Sequence, residues 1–397
     1  MNKTITRRGV FAGAASGLLL VKPETAFGYQ ANSKVSFGII GTGGRGVYVG
    51  SHMTRDANAK LAAICDIYPD RIDRGKTQIP GGDKVPAYKD LNELLAKPDI
   101  DAVLISTPIN LHPAHFEAAV KAKKHIYCEK AAGASVKGVK QLLAASKTAD
   151  PSKTIQFGFQ QRHSPEYLKA WSIFKAGKIG DVKQMMSYWI LGNEPPTKGP
   201  ASNTMPREEE LVRRWGSWRE TSGSCIVEQD CHGIDVLNWW AGNHPTKAVG
   251  TGGLRYPLVY GDWTSDHHDI TYYYPGGIEG WLISIKHTAG YRDVKEQMYG
   301  SKGMLELART YYKWHGMIPS APLKNADDLR DRSLIERGES TREITIDALQ
   351  VFFNSIVNKK PHNEAQDAAD STFAALLGRM AYETKREVTW EEMLASE

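Results

Sequence analysis

The sequence has few cysteines, little net charge and no long hydrophobic run after its first 28 residues. Its 397 residues carry a net charge of +5, which falls to near +2 without residues 1–28, so no nucleic-acid partner is expected. An apolar run of about 18 residues is missing from the rest of the chain, so no membrane span is expected. Internal repeats and low-complexity segments are also missing. A hydrophobic fraction of 41% is typical of a globular protein, and a length of 397 residues predicts two domains.

The four cysteines leave two interpretations open. An exported protein could form one or two disulfides. Cys65 and Cys128, however, lie in strand-like runs, where buried free thiols are the commoner case. Cys231 and His232 are adjacent, but no second pair of ligands accompanies them and no CxxC spacing occurs, so we predict no metal site.

Residues 1–31 have the order of an export signal. The pair Arg7-Arg8 precedes thirteen uncharged residues, and small residues lead to "AFG" at Ala26–Gly28. This order predicts a signal peptide, and the arginine pair resembles the twin-arginine type, which carries folded proteins. We therefore expect a periplasmic or otherwise exported protein. The alternative is a disordered basic N-terminus followed by a short helix.

Residues 32–155 alternate short apolar runs with helical stretches. The runs "VSFGIIG", "KLAAICD", "DAVLIST" and "HIYCEK" each have the length and composition of a buried parallel strand. Alternation of strands with helices predicts βαβ units and a doubly wound sheet. The expected fold class is α/β, and this segment is its N-terminal Rossmann domain.

Residues 156–360 have a different pattern. Their strands are longer and alternate apolar with polar residues, and two of them break at the turn signals Pro275–Gly277 and Gly300–Gly303. This pattern predicts a C-terminal α/β domain with a large open, mostly antiparallel sheet, which would bind substrate and support oligomerisation. Residues 361–397 are expected to form helices that pack back on the first domain.

The stretch "GTGGRG" has the spacing of a dinucleotide-binding turn. Gly41, Gly43 and Gly46 stand in G-x-G-x-x-G order after a strand, and Asp66 ends the next strand twenty residues later. A carboxylate there can bind both ribose hydroxyls and repels a 2′-phosphate, so NAD is expected rather than NADP. Arg71 and Arg74 lie nearby and weaken that preference. The alternative is a glycine-rich turn beside a surface aspartate.

Two further strand ends carry polar residues. "STPINLH" and "CEK" each close a strand at the edge where open α/β sheets bind ligands. Lys130 could hydrogen-bond a sugar hydroxyl there and ease its deprotonation. The expected cofactor contacts are Gly41, Gly43, Gly44, Arg45, Gly46, Asp66, Thr107, Pro108, Asn110, His112, Glu129 and Lys130.

Glu228 and His232 are four residues apart and share one face if both lie on an α-helix. A carboxylate bonded to one ring nitrogen fixes the tautomer and leaves the other nitrogen as a base, so His232 is the expected base and a substrate contact. The alternative is a surface pair that caps a helix. Arg162 could bind a substrate hydroxyl, and a salt bridge is an equal alternative.

These motifs, in this order, resemble the family of glucose–fructose oxidoreductase and inositol dehydrogenase (Gfo/Idh/MocA). "GFQQRHSPEY" at 158–167 and "GSCIVEQDCHGIDVLNWWAG" at 223–242 extend the resemblance over nearly the whole chain. The resemblance implies a homodimer or homotetramer, with Lys130 as the lysine of a Glu-Lys-Pro motif. It also implies that Glu228 and His232 stand for a catalytic Asp-x-x-x-His pair. Ala131 and Glu228 depart from the family pattern.

The resemblance implies an NAD-dependent oxidoreductase that transfers a hydride from a hydroxyl-bearing carbon of a sugar or glycoside. An exported enzyme meets little free NAD, so we expect a tightly bound cofactor that is recycled in place. One alternative is a glycoside hydrolase of the redox type, which oxidises, eliminates, hydrates and reduces again. A non-enzymatic sugar or cofactor binder is a further alternative, against which the retention of Lys130, Glu228 and His232 argues.

Overall fold

The computed structural model describes residues 34–196, 204–317 and 333–396, and the predicted export signal lies outside them. In these ranges the strands form one sheet of six and one of nine. No helix of the described ranges combines the length and the apolar character that crossing a membrane requires.

The first sheet is entirely parallel, with strand order β3-β2-β1-β4-β5-β6. Its strands are β1 (Ser36–Ile40), β2 (Lys60–Cys65), β3 (Ala87–Tyr88), β4 (Ala102–Ile105), β5 (His125–Cys128) and β6 (Ile155–Phe157). The central strands are apolar because both faces of the sheet are covered. This order is that of the Rossmann fold, whose topological switch point falls between β1 and β4. The predicted N-terminal fold is therefore confirmed.

Helices connect these strands: α1 (Gly44–Arg55), α2 (Pro69–Gln78), α3 (Leu91–Leu95), α4 (His112–Lys121) and α5 (Val136–Ser146). Each connection returns the chain so that β1, β2, β4 and β5 end at the same edge of the sheet. That edge carries the glycine turn, Asp66, Thr107 and Lys130, which are the residues that the sequence places after strands.

The second sheet has the order β14-β13-β12-β11-β7-β10-β9-β8-β15. Its strands are β7 (Val182–Asn193), β8 (Lys247–Gly253), β9 (His267–Tyr274), β10 (Ile278–His287), β11 (Arg292–Gly300), β12 (Gly303–Ala308), β13 (Tyr311–His315), β14 (Leu334–Glu339) and β15 (Val388–Thr389). Only the β7–β10 pair among its described strands is parallel. The predicted mostly antiparallel sheet is confirmed.

The remaining helices are α6 (Pro165–Lys175), α7 (Arg207–Arg213), α8 (Arg219–Ser222), α9 (Cys231–Ala241), α10 (Ile344–Val357), α11 (Ala365–Thr384) and α12 (Trp390–Ala395). Indole rings join α6 to α9, since Trp171 lies 5.1 Å from Trp239 and 5.4 Å from Trp240, measured between ring centroids. The four cysteines are buried free thiols, so the structure shows no disulfide among them.

Two C-terminal helices contact the Rossmann domain. Phe352 of α10 packs against Tyr127 of β5, with ring centroids 5.6 Å apart, and Phe353 packs against Phe37 of β1 at 6.1 Å. Thr372 of α11 accepts a hydrogen bond from the amide of Ala132 at 2.9 Å. Contact with the first domain thus begins at α10, ahead of the expected boundary at residue 361.

Candidate active site

The glycine turn between β1 and α1 is closed on one side and open on the other. Gly41 has a φ of +93°, which favours glycine, and a β-carbon on Gly46 would lie 2.0 Å from the carbonyl oxygen of Gly41. β-carbons on Gly43 and Gly44 would meet no atom within 4 Å. No side chain caps the start of α1, so its amide groups are free to bind an anion such as a pyrophosphate.

Asp66 follows β2 and lies at the edge of the same turn. Its carboxylate accepts hydrogen bonds from the amides of Thr42, at 2.9 Å, and Tyr68, at 3.1 Å. These bonds fix the carboxylate beside a cavity of about 390 Å³, which the glycine turn also lines. An open glycine cradle with a carboxylate at the next strand end fits the pyrophosphate and ribose of NAD. Arg71 lines this cavity as well.

Residues from the second half of the chain line the same cavity. Val212, Arg213 and Trp215 face it from α7 and the turn that follows. The Arg213 guanidinium donates two hydrogen bonds of 2.9 Å to the carboxylate of Asp70 and lies 3.9 Å from the ring centroid of Tyr68. This ion pair joins the two halves of the chain across the dinucleotide cavity. These residues are not among those expected from the sequence, because no local motif marks them.

The loop after β4 contributes Thr107 and Pro108 to the dinucleotide cavity. Two other residues of this loop depart from the expected cofactor contacts. Asn110 is exposed and lines neither cavity described here, because it lies on the outer side of a short 3₁₀ turn. His112 is buried, and its ring nitrogens lie 2.9 Å from the Thr107 carbonyl oxygen and 2.8 Å from that of Ala131. His112 therefore holds two loops together.

A second cavity, of about 230 Å³, adjoins the first, and both are lined by Ser106, Thr107 and Trp215. Arg45 and Glu129 face it as an ion pair, with 2.9 Å between Nε and Oε1. The other charged and polar residues of its wall are His112, Lys130, Gln160, Glu228, His232 and Arg309. The expected catalytic residues thus meet in one small cavity beside the dinucleotide cavity.

Lys130 follows β5, and its side chain is mostly buried at the wall of the second cavity. Its Nζ donates a hydrogen bond to the carbonyl oxygen of Glu228 and lies 3.4 Å from the carboxylate oxygen Oε1 of that residue. Burial by itself lowers the pKa of Lys130, but the surrounding negative groups, with the Glu228 carboxylate the strongest, together outweigh burial and the net pKa is raised. Lys130 is therefore a protonated hydrogen-bond donor.

His232 stands on α9 between two aromatic rings. It stacks on Trp189, with ring centroids 5.5 Å apart and planes at 13°, and meets Phe159 edge-on at 5.9 Å. Burial, with the nearby charge of Lys130, holds the pKa of His232 well below its usual value. Its Nδ1 is buried without a hydrogen-bond partner among the described residues, and the two aromatic rings hold the neutral imidazole in place.

Comparison with known proteins identifies this architecture. The family model for the oxidoreductase family, NAD-binding Rossmann fold, matches residues 35–157. The model for the C-terminal alpha/beta domain of the same family matches residues 175–390. The chain belongs to the Gfo/Idh/MocA oxidoreductase family. The expected family is confirmed, with NAD as the class of dinucleotide that its Rossmann domain binds.

Named relatives in the Gfo/Idh/MocA family act on cyclic polyols. The chain is 25% identical to myo-inositol 2-dehydrogenase of Thermotoga maritima over 365 residues, which cover 90% of this chain and 99% of that protein. It is 24% identical to inositol 2-dehydrogenase of Rhizobium meliloti over 272 residues, covering 68% of this chain and 74% of that protein.

Solved structures share the fold. The scyllo-inositol dehydrogenase of Lactobacillus casei, with bound NAD(H) and scyllo-inositol, has a TM-score of 0.67 and 23% identity, and the match covers 90% of this chain and all of the other. Levoglucosan dehydrogenase in complex with NADH and levoglucosan has a TM-score of 0.73 and 17% identity, with 90% and 99% covered. At these identities the comparison establishes the fold.

One expected pairing of this Gfo/Idh/MocA member is corrected by the structure. Glu228 does not hydrogen-bond His232 and pairs with Lys130 instead. Ile226–Asp230 form a π-helical turn before α9 begins. The Glu228 carboxylate at this turn lies 3.4 Å from the Lys130 ammonium, which is the partner it takes in place of the imidazole.

Arg162 is a second correction. Its guanidinium binds both carboxylate oxygens of Asp235, with a shortest distance of 2.8 Å, and its Nη1 lies 3.4 Å from Asp367. The Asp235 side chain is fully buried, and Arg162 lines neither cavity described above. The expected substrate contact is therefore a structural salt bridge between Arg162, α9 and α11.

Proposed function

We propose that this protein oxidises a hydroxyl group of a sugar or sugar-like polyol, with NAD as the hydride acceptor. The observation that carries the proposal is the meeting of Lys130, Glu228 and His232 in a cavity that adjoins the dinucleotide cavity. The small volume and polar wall suit one sugar ring. The inositols and levoglucosan named for its relatives and structural neighbours are each built on one six-membered ring that carries hydroxyl groups.

The chemistry divides between the cofactor and the chain. NAD, when bound, accepts the hydride from the carbon that carries the hydroxyl. The neutral imidazole of His232 takes the hydroxyl proton, so that the C–O bond becomes a carbonyl as the hydride leaves. The Lys130 ammonium donates a hydrogen bond to the same oxygen and stabilises the negative charge that develops there. Glu228 keeps Lys130 protonated and fixes its direction.

A tightly held, recycled cofactor is part of the proposal. Val212, Arg213 and Trp215 cover the dinucleotide cavity from the second half of the chain, and the Arg213–Asp70 pair closes them over it. The twin-arginine pattern of residues 1–31 supports export of a folded, cofactor-loaded protein. Outside the cytoplasm the reduced cofactor would be re-oxidised in place, by a second sugar or by an intermediate of the same substrate.

The test starts from protein purified from the export fraction. NAD is extracted and counted, and the loaded protein is incubated with inositols, hexoses and glycosides, whose products are identified by mass. We expect close to one NAD per chain and a keto product. Lys130→Met should keep the NAD and lose the product, and Arg213→Ala should lose NAD faster during dialysis.

Three results would contradict parts of this proposal. A protein that lacks NAD and binds it weakly would contradict the resident cofactor. Substantial turnover by Lys130→Met would contradict the role of that lysine. Release of an aglycone with no keto product and no net change in the cofactor would favour glycoside hydrolysis of the redox type.

A further inference from the structure

Arg309 is a cation of the catalytic cavity that the proposed mechanism does not use. It lies in the turn between β12 and β13 and reaches the same wall as Lys130 and His232. Its guanidinium carbon is 5.8 Å from the ring centroid of Trp189, the ring on which His232 stacks. The second sheet thus delivers an arginine to the place where a substrate would contact the base.

This arginine has a buried nitrogen that no protein group satisfies. Its Nε is buried without a hydrogen bond in the described part of the chain. Burial lowers the pKa of the guanidinium, which nonetheless stays charged at any ordinary pH. Arg309 is partly exposed to the cavity, and a buried charged donor without a hydrogen bond is costly, so its Nε points to a partner that binds in the cavity.

The nearby carboxylates do not fill that place. Burial raises the pKa of Glu296 to about 8, so it is largely neutral near pH 7, and it accepts a hydrogen bond of 2.6 Å from Tyr167. Glu343 accepts hydrogen bonds from the amide and hydroxyl groups of Thr345. Both lie close enough to influence Arg309 electrostatically, yet neither binds it.

The other charges of the cavity wall are already paired. Arg45 is matched by Glu129 and Lys130 by Glu228, which leaves Arg309 as one unmatched positive charge. Burial lowers the pKa of His112 to about 4 and that of His232 well below its usual value, so both rings are neutral. The wall therefore carries an excess of one positive charge before substrate binds.

We propose that Arg309 recognises a carboxylate on the substrate, so that the preferred substrate is an acidic sugar such as a uronic acid or its glycoside. This inference rests on the proposed function and names its substrate class. The planar fork of a guanidinium matches a carboxylate in two parallel hydrogen bonds. A single negative charge balances the wall, whereas a phosphate dianion would leave one negative charge in excess.

A structural role for Arg309 is the competing explanation. The guanidinium could simply support Trp189 and, through that ring, His232. In that case its removal would weaken acidic and neutral substrates equally, because the base is shared by both. If Arg309 recognises a carboxylate, its removal should weaken the binding of acidic ligands more than that of neutral ones. The experiment measures this difference.

The experiment measures binding by calorimetry on the NAD-loaded protein. The ligands are methyl glycosides of glucuronic, galacturonic and mannuronic acid, each beside its neutral methyl ester, its parent hexoside and the hexoside 6-phosphate. We expect one acid to bind at least about 30-fold more tightly than its ester, in line with the loss of one desolvated charge pair. Arg309→Gln should remove that ratio, and Arg309→Lys should retain part of it.

Arg337→Gln is the matched control, because Arg337 is an exposed arginine on β14 of the same sheet and should leave the ratio unchanged. NAD content and thermal unfolding are measured on every variant. If Arg309→Gln does not fold, the inference is tested by the ratio of acid affinity to ester affinity, measured in the unmodified protein and in Arg309→Lys.

Any of three results would overturn the inference. They are equal binding of acid and ester, tighter binding of a phosphate or a hexoside than of the acid, and no binding of any acid. An equal loss for acids and esters in Arg309→Gln would show the structural role. The proposed function is judged separately, by Lys130-dependent reduction of the cofactor with any sugar. Oxidation of neutral sugars alone would therefore refute the acidic substrate and leave the oxidoreductase intact.

Discussion

Replacement of Lys130 by methionine removes the one ammonium group that the mechanism places on the reacting oxygen. Methionine keeps an unbranched apolar side chain that ends one atom short of the Nζ position. The Nζ of Lys130 contacts both the carbonyl oxygen and the carboxylate of Glu228, so its loss also leaves that carboxylate unpaired. Two separate penalties should follow.

The first penalty is the lost hydrogen-bond donor, which costs about 10²- to 10³-fold in rate for groups that stabilise a developing oxyanion. The second comes from the unpaired Glu228. Its Oε1 lies 3.4 Å from the position of Nζ, so it would lie roughly 6 Å from an oxygen bonded to that position. At an effective dielectric constant of about 20 this repulsion is roughly 2.5 kcal/mol, or almost 100-fold.

The expected loss for Lys130→Met is therefore about 10⁴- to 10⁵-fold, and the double variant Lys130→Met/Glu228→Gln should recover nearly 100-fold of it. The assay mixes NAD-loaded protein with saturating substrate and follows the first turnover by NADH absorbance. Cofactor content is measured beforehand, so that lost NAD is not mistaken for lost chemistry.

Two results would refute this reasoning. A loss of less than tenfold in Lys130→Met would show that the lysine does not act on the reacting oxygen. A double variant no faster than Lys130→Met would show that the carboxylate of Glu228 lies outside the electrostatics of the reaction.

Three further predictions concern the cofactor turn, the salt bridge and acid stability. Gly46→Ala should abolish NAD retention, because the β-carbon would lie 2.0 Å from a backbone oxygen, whereas Gly253→Ala, whose nearest contact is 3.9 Å, should retain NAD. Arg162→Gln should lower the free energy of unfolding by about 3–5 kcal/mol and leave KM unchanged, because it breaks a buried ion pair with Asp235. Burial lowers the pKa of His125 to about 4. Because of this residue, the free energy of unfolding should fall by about 2 kcal/mol as the pH falls from 6.5 to 4, after a discount for the partial exposure of the ring.

The sign of the His125 effect follows from proton binding. Below pH 6.5 the unfolded chain protonates this ring while the folded chain does not, because burial and the nearby Lys153 charge disfavour the charged ring. In the fold its Nδ1 accepts a hydrogen bond of 2.9 Å from the Thr154 amide. Acid therefore favours unfolding, and denaturant titrations of His125→Gln should show a flatter pH dependence. Each prediction has a result that would contradict it. These results are an unchanged slope of the unfolding free energy against pH in His125→Gln, a raised KM in Arg162→Gln, and NAD retained by Gly46→Ala.

The Rossmann half and its cofactor turn could be predicted because their signals are local. Each strand is one short apolar run, and Gly41, Asp66 and Lys130 directly follow such runs. Parallel strands joined by helices end at one edge, so position along the chain becomes proximity in space. The family resemblance then supplied the order of the motifs in the second half.

The sequence-based predictions were wrong where residues from distant elements meet. Glu228 does not pair with His232 because the Lys130 ammonium, which follows β5 in the first half of the chain, lies 3.4 Å from its carboxylate. Arg162 went to Asp235 because α9 and α11 pack against its loop. Arg309 and Trp215 reach the cavities from the second sheet and from a turn after α7, and no pattern in their own neighbourhoods marks them.

In the proposed reaction a hydride leaves a sugar carbon for the bound NAD while His232 takes the hydroxyl proton and Lys130 binds the oxygen. This reaction is tested most directly with a substrate that carries deuterium on the carbon to be oxidised. One turnover by the loaded protein, followed by mass analysis of the extracted cofactor, should place the deuterium in the reduced nicotinamide, and in Lys130→Met this transfer should be lost. Deuterium that appears in water, or that remains in the sugar while product forms, would contradict the account.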